Sequence, residues 1–334
     1  ERLIRVRGEL LFKLRRHEDA AEALERAFRR DRLDTKVPKL LVRALIEAGE
    51  YDRAEAFLAE LSSEPSQRGQ IGPLAGELCR ATGNAEVALR LWEQYRKRNP
   101  TELDVSLASS LARTAEGLGA GKLAADILTP VAEEMPGNAE IARSLARLRA
   151  KAGEPGRAVR ILAEALAADR EQLEVVELGV REVMAKSRSG TERRIASLAG
   201  EDGIPAAEAH HLAGVAAWYA DKPYLAAEEF AAAVKADSEF LAAHESRVKV
   251  LLATLQLAKA DAAVTEAREA LGAEHYFADY LEGMVRLAER RPEAAGVALS
   301  RALDARADHT PSLLLLGRAM ERGGEAMQAY ERMI

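Results

Sequence analysis

Three side chains of types that bind metals return at one place in the chain. His210, His244 and Asp279 are spaced 34 and 35 residues apart, and imidazole with carboxylate is a donor set for zinc and related ions. That chemistry needs all three within reach of one ion. On separate packed helices, with axes about 8–10 Å apart, such short side chains do not converge, so the place reads as a packing site with core histidines. The run Gly117 to Lys122, GLGAGK, is close to a phosphate-cradling loop. Its spacing is one residue short, Leu123 stands where Ser or Thr is needed, and no strand pattern precedes it. Cys79 is the single cysteine, so no internal disulfide can form, and its core-like place suits packing better than nucleophilic attack. No Ser-His-Asp or Cys-His arrangement can be argued. The expectation is a chain that is not an enzyme and carries no cofactor or metal.

The elements that would position any such residue follow from a period. Small residues stand at Ala20, Ala54, Ala88, Ala124, Ala158, Ala226, Ala260, Ala295 and Ala329, in steps of 34, 34, 36, 34, 68, 34, 35 and 34. Glu192 occupies the missed beat. Four residues after the marker comes a larger apolar residue in most units: Leu24, Leu58, Trp92, Leu128, Leu162, Phe230, Val264, Leu299. Twelve residues before it Gly or a small residue is frequent: Gly8, Gly76, Ala112, Ala146, Gly214, Gly283, Gly317. The cleanest unit, Ala139 to Gln172, has two helical halves about a Gly-Glu-Pro-Gly turn. Ile141, Leu145 and Leu148 share one face of the first half; Ala158, Leu162 and Ala165 share one face of the second. Neither stripe can be buried alone, so helices must stack, and a fixed period of this length marks a solenoid. Small residues on the first helix let the second approach closely.

These positions, with Pro100 and Pro136 near unit ends, resemble the tetratricopeptide repeat, in about ten copies across the whole chain. The resemblance implies an all-α, right-handed superhelical solenoid of helix-turn-helix repeats. Repeats one to five run over 1–172, a degenerate sixth with a polar KSRSGTERR turn and a possible bend over 173–206, and repeats seven to ten over 207–334, the last cut short. Ser62 to Pro73 reads as a loosened joint, and Gly200 to Pro205 as a loop. In the tenth repeat Ala326 with Tyr330 competes with Ala329 for the marker.

The resemblance also implies a concave groove lined by first helices that binds an extended peptide or partner helix. The fifth, ninth, twelfth and thirteenth residues of each repeat are expected to face it. Arg113, Arg147 and Arg181 then stack at the ninth position of three successive repeats, joined by Arg5, Lys39, Arg43, Arg143 and Lys151. Like charges this close repel unless neutralised. Either an acidic partner segment sits on them, or Glu140, Glu174, Glu177 and Glu208 neutralise them. Past the sixth repeat the groove positions turn to His211, Trp218, Tyr219, Tyr280, Met284 and Leu287. These are either anchors for an apolar partner group or fillers between helices. Two specialised modes of the family need asparagine in the groove, for chaperone tails or for sugar-transferase substrates; Asn84, Asn99 and Asn138 all fall near turns.

Composition agrees with this and excludes other classes. Aromatic residues are 4% and the net charge is −6, so nothing points to nucleic acid. No apolar run approaches the roughly 18 residues of a membrane span. The chain opens on Glu1 and stops on AYERMI inside a helical pattern, which reads as a piece of a longer protein. The function expected is a scaffold binding another protein, with an acidic segment as one candidate. The alternatives are the recruiting arm of a larger enzyme such as a glycosyltransferase, or an arm of an envelope polysaccharide-export or secretion assembly. The compartment is open.

Overall fold

The structure is a computed structural model that describes residues 2–186, 195–197 and 204–323. The marker Glu192, most of the polar turn around it, and Ala326, Ala329 and Tyr330 lie outside the described residues. Among those described, 18 α-helices and two short 3₁₀ turns are present and no strand. In chain order they are α1 (Arg2–Lys13), α2 (His17–Arg30), α3 (Val37–Glu47), α4 (Tyr51–Leu61), α5 (Arg68–Thr82), α6 (Glu86–Arg98), α7 (Val105–Gly117), α8 (Gly121–Glu134), α9 (Ala139–Lys151), α10 (Pro155–Ala168), α11 (Leu173–Met184), α12 (Ala206–Tyr219), α13 (Pro223–Ala236), α14 (Leu241–Ala253), α15 (Leu257–Leu271), α16 (Tyr276–Ala288), α17 (Pro292–Ala305) and α18 (Thr310–Gly323). The helices form antiparallel pairs. The chain divides into two compact units, 1–161 and 162–334, the division falling inside α10.

Within each unit the period has a steric meaning. Every described marker from Ala20 to Ala295 is fully buried. At Ala20, Ala226 and Ala295 the glycine twelve residues earlier is a seat for the large residue four residues later, whereas Gly76 faces Thr114 and Arg80. A Cβ placed on Gly8 would lie 2.7 Å from Leu24 Cγ, one on Gly214 2.7 Å from Phe230 Cδ1, and one on Gly283 2.5 Å from Leu299 Cγ. Real Cβ atoms do not approach that closely, so the second helix settles into a notch that only a missing side chain opens.

The turn inside each pair repeats as strictly. A residue with positive φ stands at Arg15, Gly49, Gly83, Gly119, Gly153, Asp221, Leu255 and Arg290, in the same steps as the marker alanines. Beyond it an amide reaches back to close the helix, as Glu50 N does to Leu45 O at 2.8 Å and Gln256 N to Leu251 O at 2.9 Å. This left-handed cap suits glycine. The GLGAGK run is therefore a helix-to-helix turn around Gly119, not a phosphate cradle. At Leu255, φ is 57°, a conformation costing a branched residue about 1–2 kcal/mol, and the side chain is 83% exposed. Leu255→Gly is therefore expected to raise stability by about 1 kcal/mol in a denaturant melt, since no packing is lost; a lower midpoint would contradict the cap.

One expected feature is corrected. Ser62 to Pro73 is not a loosened joint: it is a 3₁₀ turn at Pro65–Gln67 running into α5, which contains Pro73. Gln67 is fully buried and its side-chain amide donates to Arg32 O at 2.9 Å, while Ser62 Oγ donates to Ala59 O at 2.7 Å. Two buried polar side chains tie the segment down, which its Ser, Gln and Gly content concealed.

Candidate partner-binding face

In the first unit the basic groove residues are carried by first helices α1, α3, α7 and α9. Most find carboxylates. Arg5 meets Asp34 at 2.8 Å and Glu9 at 3.4 Å. Arg43 grips Glu77, the ninth residue of the next repeat, through two bonds of 2.8 Å. Lys39 is exposed; the Arg43 hydrogen bond first, then the charges of Arg43 and Lys39, hold the Glu77 carboxyl below its ordinary range. Arg143 lies 3.3 Å from Glu140. Arg147 binds Glu116 with both terminal nitrogens, and Lys151 Nζ stands 2.6 Å from the same carboxylate. The Arg147 hydrogen bonds above all hold the Glu116 carboxyl down at about 2. Of the acids named from sequence, Glu140 acts on this ladder as expected, whereas the main neutraliser, Glu116, went unnoticed. Its only signal was its place at the twelfth position, one turn from Arg113.

Arg113 differs from its neighbours. It is exposed, its Nε donates to Ser109 O of its own helix at 3.3 Å, and no carboxylate of the described residues lies within ion-pair distance. Its side chain is a wall shared by two clefts. One, of about 460 Å³, lies between α5 and α7 and is lined by Gly76, Arg80 and Thr114 among others. The second, of about 470 Å³, lies between α7 and α9 with a mostly apolar lining that includes Ala112, Leu128, Ile141 and Leu148. Close packing of α5 on α7 shapes the first cleft: a Cβ on Gly72 would fall 2.2 Å from Ser110 Oγ.

In the second unit the expected groove residues divide. Trp218 and Tyr219 are 43% and 47% exposed, and the guanidinium of Arg181 lies 5.8 Å from the Tyr219 ring centre. Met284 is half-buried against the core. His211 and Tyr280 do not face solvent. His211 is fully buried between Phe230 and Phe240, ring centres 5.2 and 5.0 Å away, with Nε2 2.8 Å from Glu177 Oε1. Tyr280 is buried and its hydroxyl donates to Glu245 Oε1 at 2.7 Å; burial pushes its phenol up. Both therefore tie one repeat to the next instead of offering a surface. Leu287 is buried as well.

The other chemical candidates are each satisfied locally. His210 Nδ1 lies 2.8 Å from Glu229, His244 Nε2 lies 2.9 Å from Ser238 O, and Asp279 is held by Arg268 at 2.9 Å and Arg301 at 3.0 Å. Among the described residues no cluster of metal-ligating side chains forms. Burial pushes the Cys79 thiol up to about 11, so it is protonated and unreactive at neutral pH. Among the described residues no helix is long and apolar enough to cross a membrane.

Comparison with known proteins bears on the repeats. A tetratricopeptide repeat family model matches residues 11–71 and 115–178. A search of curated proteins finds no match. Similar solved structures include the Cut9–Hcn1 hetero-tetramer of the APC/C, at 14% identity and TM-score 0.34, covering 95% of this chain and 55% of that one. A tetratricopeptide repeat protein from Parabacteroides merdae is 15% identical with TM-score 0.34, covering 76% and 99%. Naa15/Naa10 bound to HypK is 13% identical with TM-score 0.33, covering 98% and 66%. The chain thus spans about half the length of the first of these and two thirds of the last. With the 34-residue period, the glycine seats and the left-handed turns on the page, residues 11–71 and 115–178 carry tetratricopeptide repeats.

Proposed function

We propose that the chain is a protein-interaction scaffold and that the face around α7 receives an acidic segment of a partner. The observation that carries this is Arg113: an exposed guanidinium without a carboxylate, standing between two clefts one helix apart. Its surroundings stay positive, because Glu116 answers both Arg147 and Lys151 while Arg143 answers Glu140. An incoming Asp or Glu would gain a charge-assisted, paired hydrogen bond there. An adjacent aliphatic side chain would enter the apolar cleft between α7 and α9. Protein binding is the general role of tetratricopeptide repeats, which supports the class of ligand. The exposed Trp218 and Tyr219 supply an apolar contact for a partner of the second unit.

An array of acidic and neutral peptides, scored by fluorescence anisotropy, tests the proposal. Peptides pairing Asp or Glu with a nearby Leu are expected to bind, and Arg113→Glu to weaken them roughly tenfold or more, in line with an electrostatic loss of about 1.4 kcal/mol or above. Binding is expected to fall as salt rises. Peptide binding that ignores both Arg113→Glu and salt removes the acidic-segment reading.

A further inference from the structure

One joint of the first unit breaks the charge pattern of its neighbour. Between the fourth and fifth repeats the twelfth residue of one, Glu116, binds the ninth residue of the next, Arg147. One joint earlier the same two places hold Arg80 and Arg113. Where the later joint has an ion pair, the earlier one has two like charges lining a single cleft, the one of about 460 Å³ between α5 and α7. Both arginines are exposed, and among the described residues neither lies within ion-pair distance of a carboxylate. Glu77 is the acid of this lining, and Arg43 already grips it through two bonds of 2.8 Å. The cleft therefore keeps the charge of two guanidiniums.

Glycines place the second head. Gly72 and Gly76 are buried on the α5 side. A Cβ on Gly76 would lie 3.3 Å from Arg80 Nη1 and 3.2 Å from Thr114 Oγ1 of α7. The Arg80 guanidinium thus rests on bare α5 backbone and turns towards α7. A side chain at position 76 would crowd that space.

We infer that this cleft is a seat for a phosphate monoester, carried as phosphoserine or phosphothreonine on the partner segment that the Arg113 face receives; the inference rests on that reading and names its ligand. A carboxylate held by Arg113 brings one charge and leaves Arg80 unanswered. A phosphoryl group brings a charge of about −1.5 to −2 and three acceptor oxygens, enough for both arginines. The planar donor fork of arginine fits phosphate oxygens in pairs. A nucleic acid fits worse: two arginines on a chain of net charge −6 make a point, not a track along a backbone. On the other side of Arg113 the apolar cleft between α7 and α9 receives a neighbouring aliphatic residue.

The test uses the whole chain and three labelled peptides with a nearby Leu, identical except for phosphoserine, Asp or Ser at one position, read by fluorescence anisotropy. A uridine oligomer of equal length is the fourth ligand. The phosphoserine peptide is expected to bind at least about tenfold more tightly than the Asp peptide, some 1.4 kcal/mol, with the Ser peptide weakest. Arg80→Gln should lower phosphoserine binding about tenfold and Asp binding by less, so that the advantage closes. Arg113→Gln should weaken both. Thermal melts of the two variants should match wild type, since both side chains are exposed. Asp binding as tight as phosphoserine, with Arg113→Gln still damaging, overturns the phosphate seat and leaves the acidic-segment reading standing. A phosphoserine advantage that survives Arg80→Gln, or tighter binding of the uridine oligomer, overturns the seat as well. Failure of all three peptides up to about 1 mM removes both readings.

Discussion

Gly214→Val is expected to cost about 2–3 kcal/mol, at the upper end of what overpacking does. The new Cβ would fall within 2.7–2.9 Å of three carbons of the Phe230 ring. The ring is buried and rigid, and it also packs on His211, 5.2 Å away, so it cannot turn aside. Val gains little over Gly in helix propensity, a few tenths of a kcal/mol, which does not offset the clash. Phe230→Ala alone should cost about 3–5 kcal/mol through the cavity it leaves. The double variant should be less destabilised than the two losses added, by about 1–2 kcal/mol, because each change relieves the other. Gly117→Ala is the matched control: nothing lies within 4 Å of its added Cβ, so its denaturant midpoint should hold or rise slightly. Strict additivity of Gly214 and Phe230 would mean that the two do not touch.

Trp92→Ala is expected to be as damaging in the first unit, about 3–5 kcal/mol. Trp92 takes the large position four residues after Ala88 and is buried. Its ring stacks on Tyr95 with centres 5.6 Å apart and planes 16° from parallel, and Arg96 lies 5.9 Å from its centre. Removal leaves a cavity beside the buried Tyr95 ring. Trp92→Phe should cost far less. Trp218→Ala, at an exposed site, should stay within about 0.5 kcal/mol. Because the chain has two tryptophans, the same contrast can be read by quenching. Acrylamide should quench the fluorescence of wild type through Trp218 and leave Trp218→Phe largely protected; comparable quenching of both would place Trp92 at the surface.

The parts of the fold legible in the sequence are those set by sterics between near neighbours in the chain. Gly8 and Leu24, or Gly283 and Leu299, are sixteen residues apart within one helix pair, and one repeat suffices to position them. The turn glycines Gly49 and Gly153 follow from the same geometry. The turns at Arg15, Asp221, Leu255 and Arg290 were not marked, because those residues adopt the left-handed cap against their own preference. The groove was less legible because exposure there depends on the adjoining repeat. His211 and Tyr280 sit at the fifth position of their repeats, as Lys39 does, yet they are buried under contacts with Glu177 and Glu245 from the repeat before. Charge pairing was harder still. Glu116 reaches Arg147 across 31 residues and Lys151 across 35, and Arg170 joins Glu208 to Asp237, 2.6 and 2.7 Å away, while covering Phe240. Long side chains choose among several carboxylates at similar range, and periodicity does not select one.

Proton contacts at the seats give the most direct measurement of the repeat packing. In a nuclear Overhauser spectrum, the Hα protons of Gly8, Gly214 and Gly283 should each show strong cross-peaks, to the Leu24 methyls, the Phe230 ring and the Leu299 methyls respectively. Absence of these cross-peaks in a folded sample would contradict the notch that brings the two helices of these three pairs together.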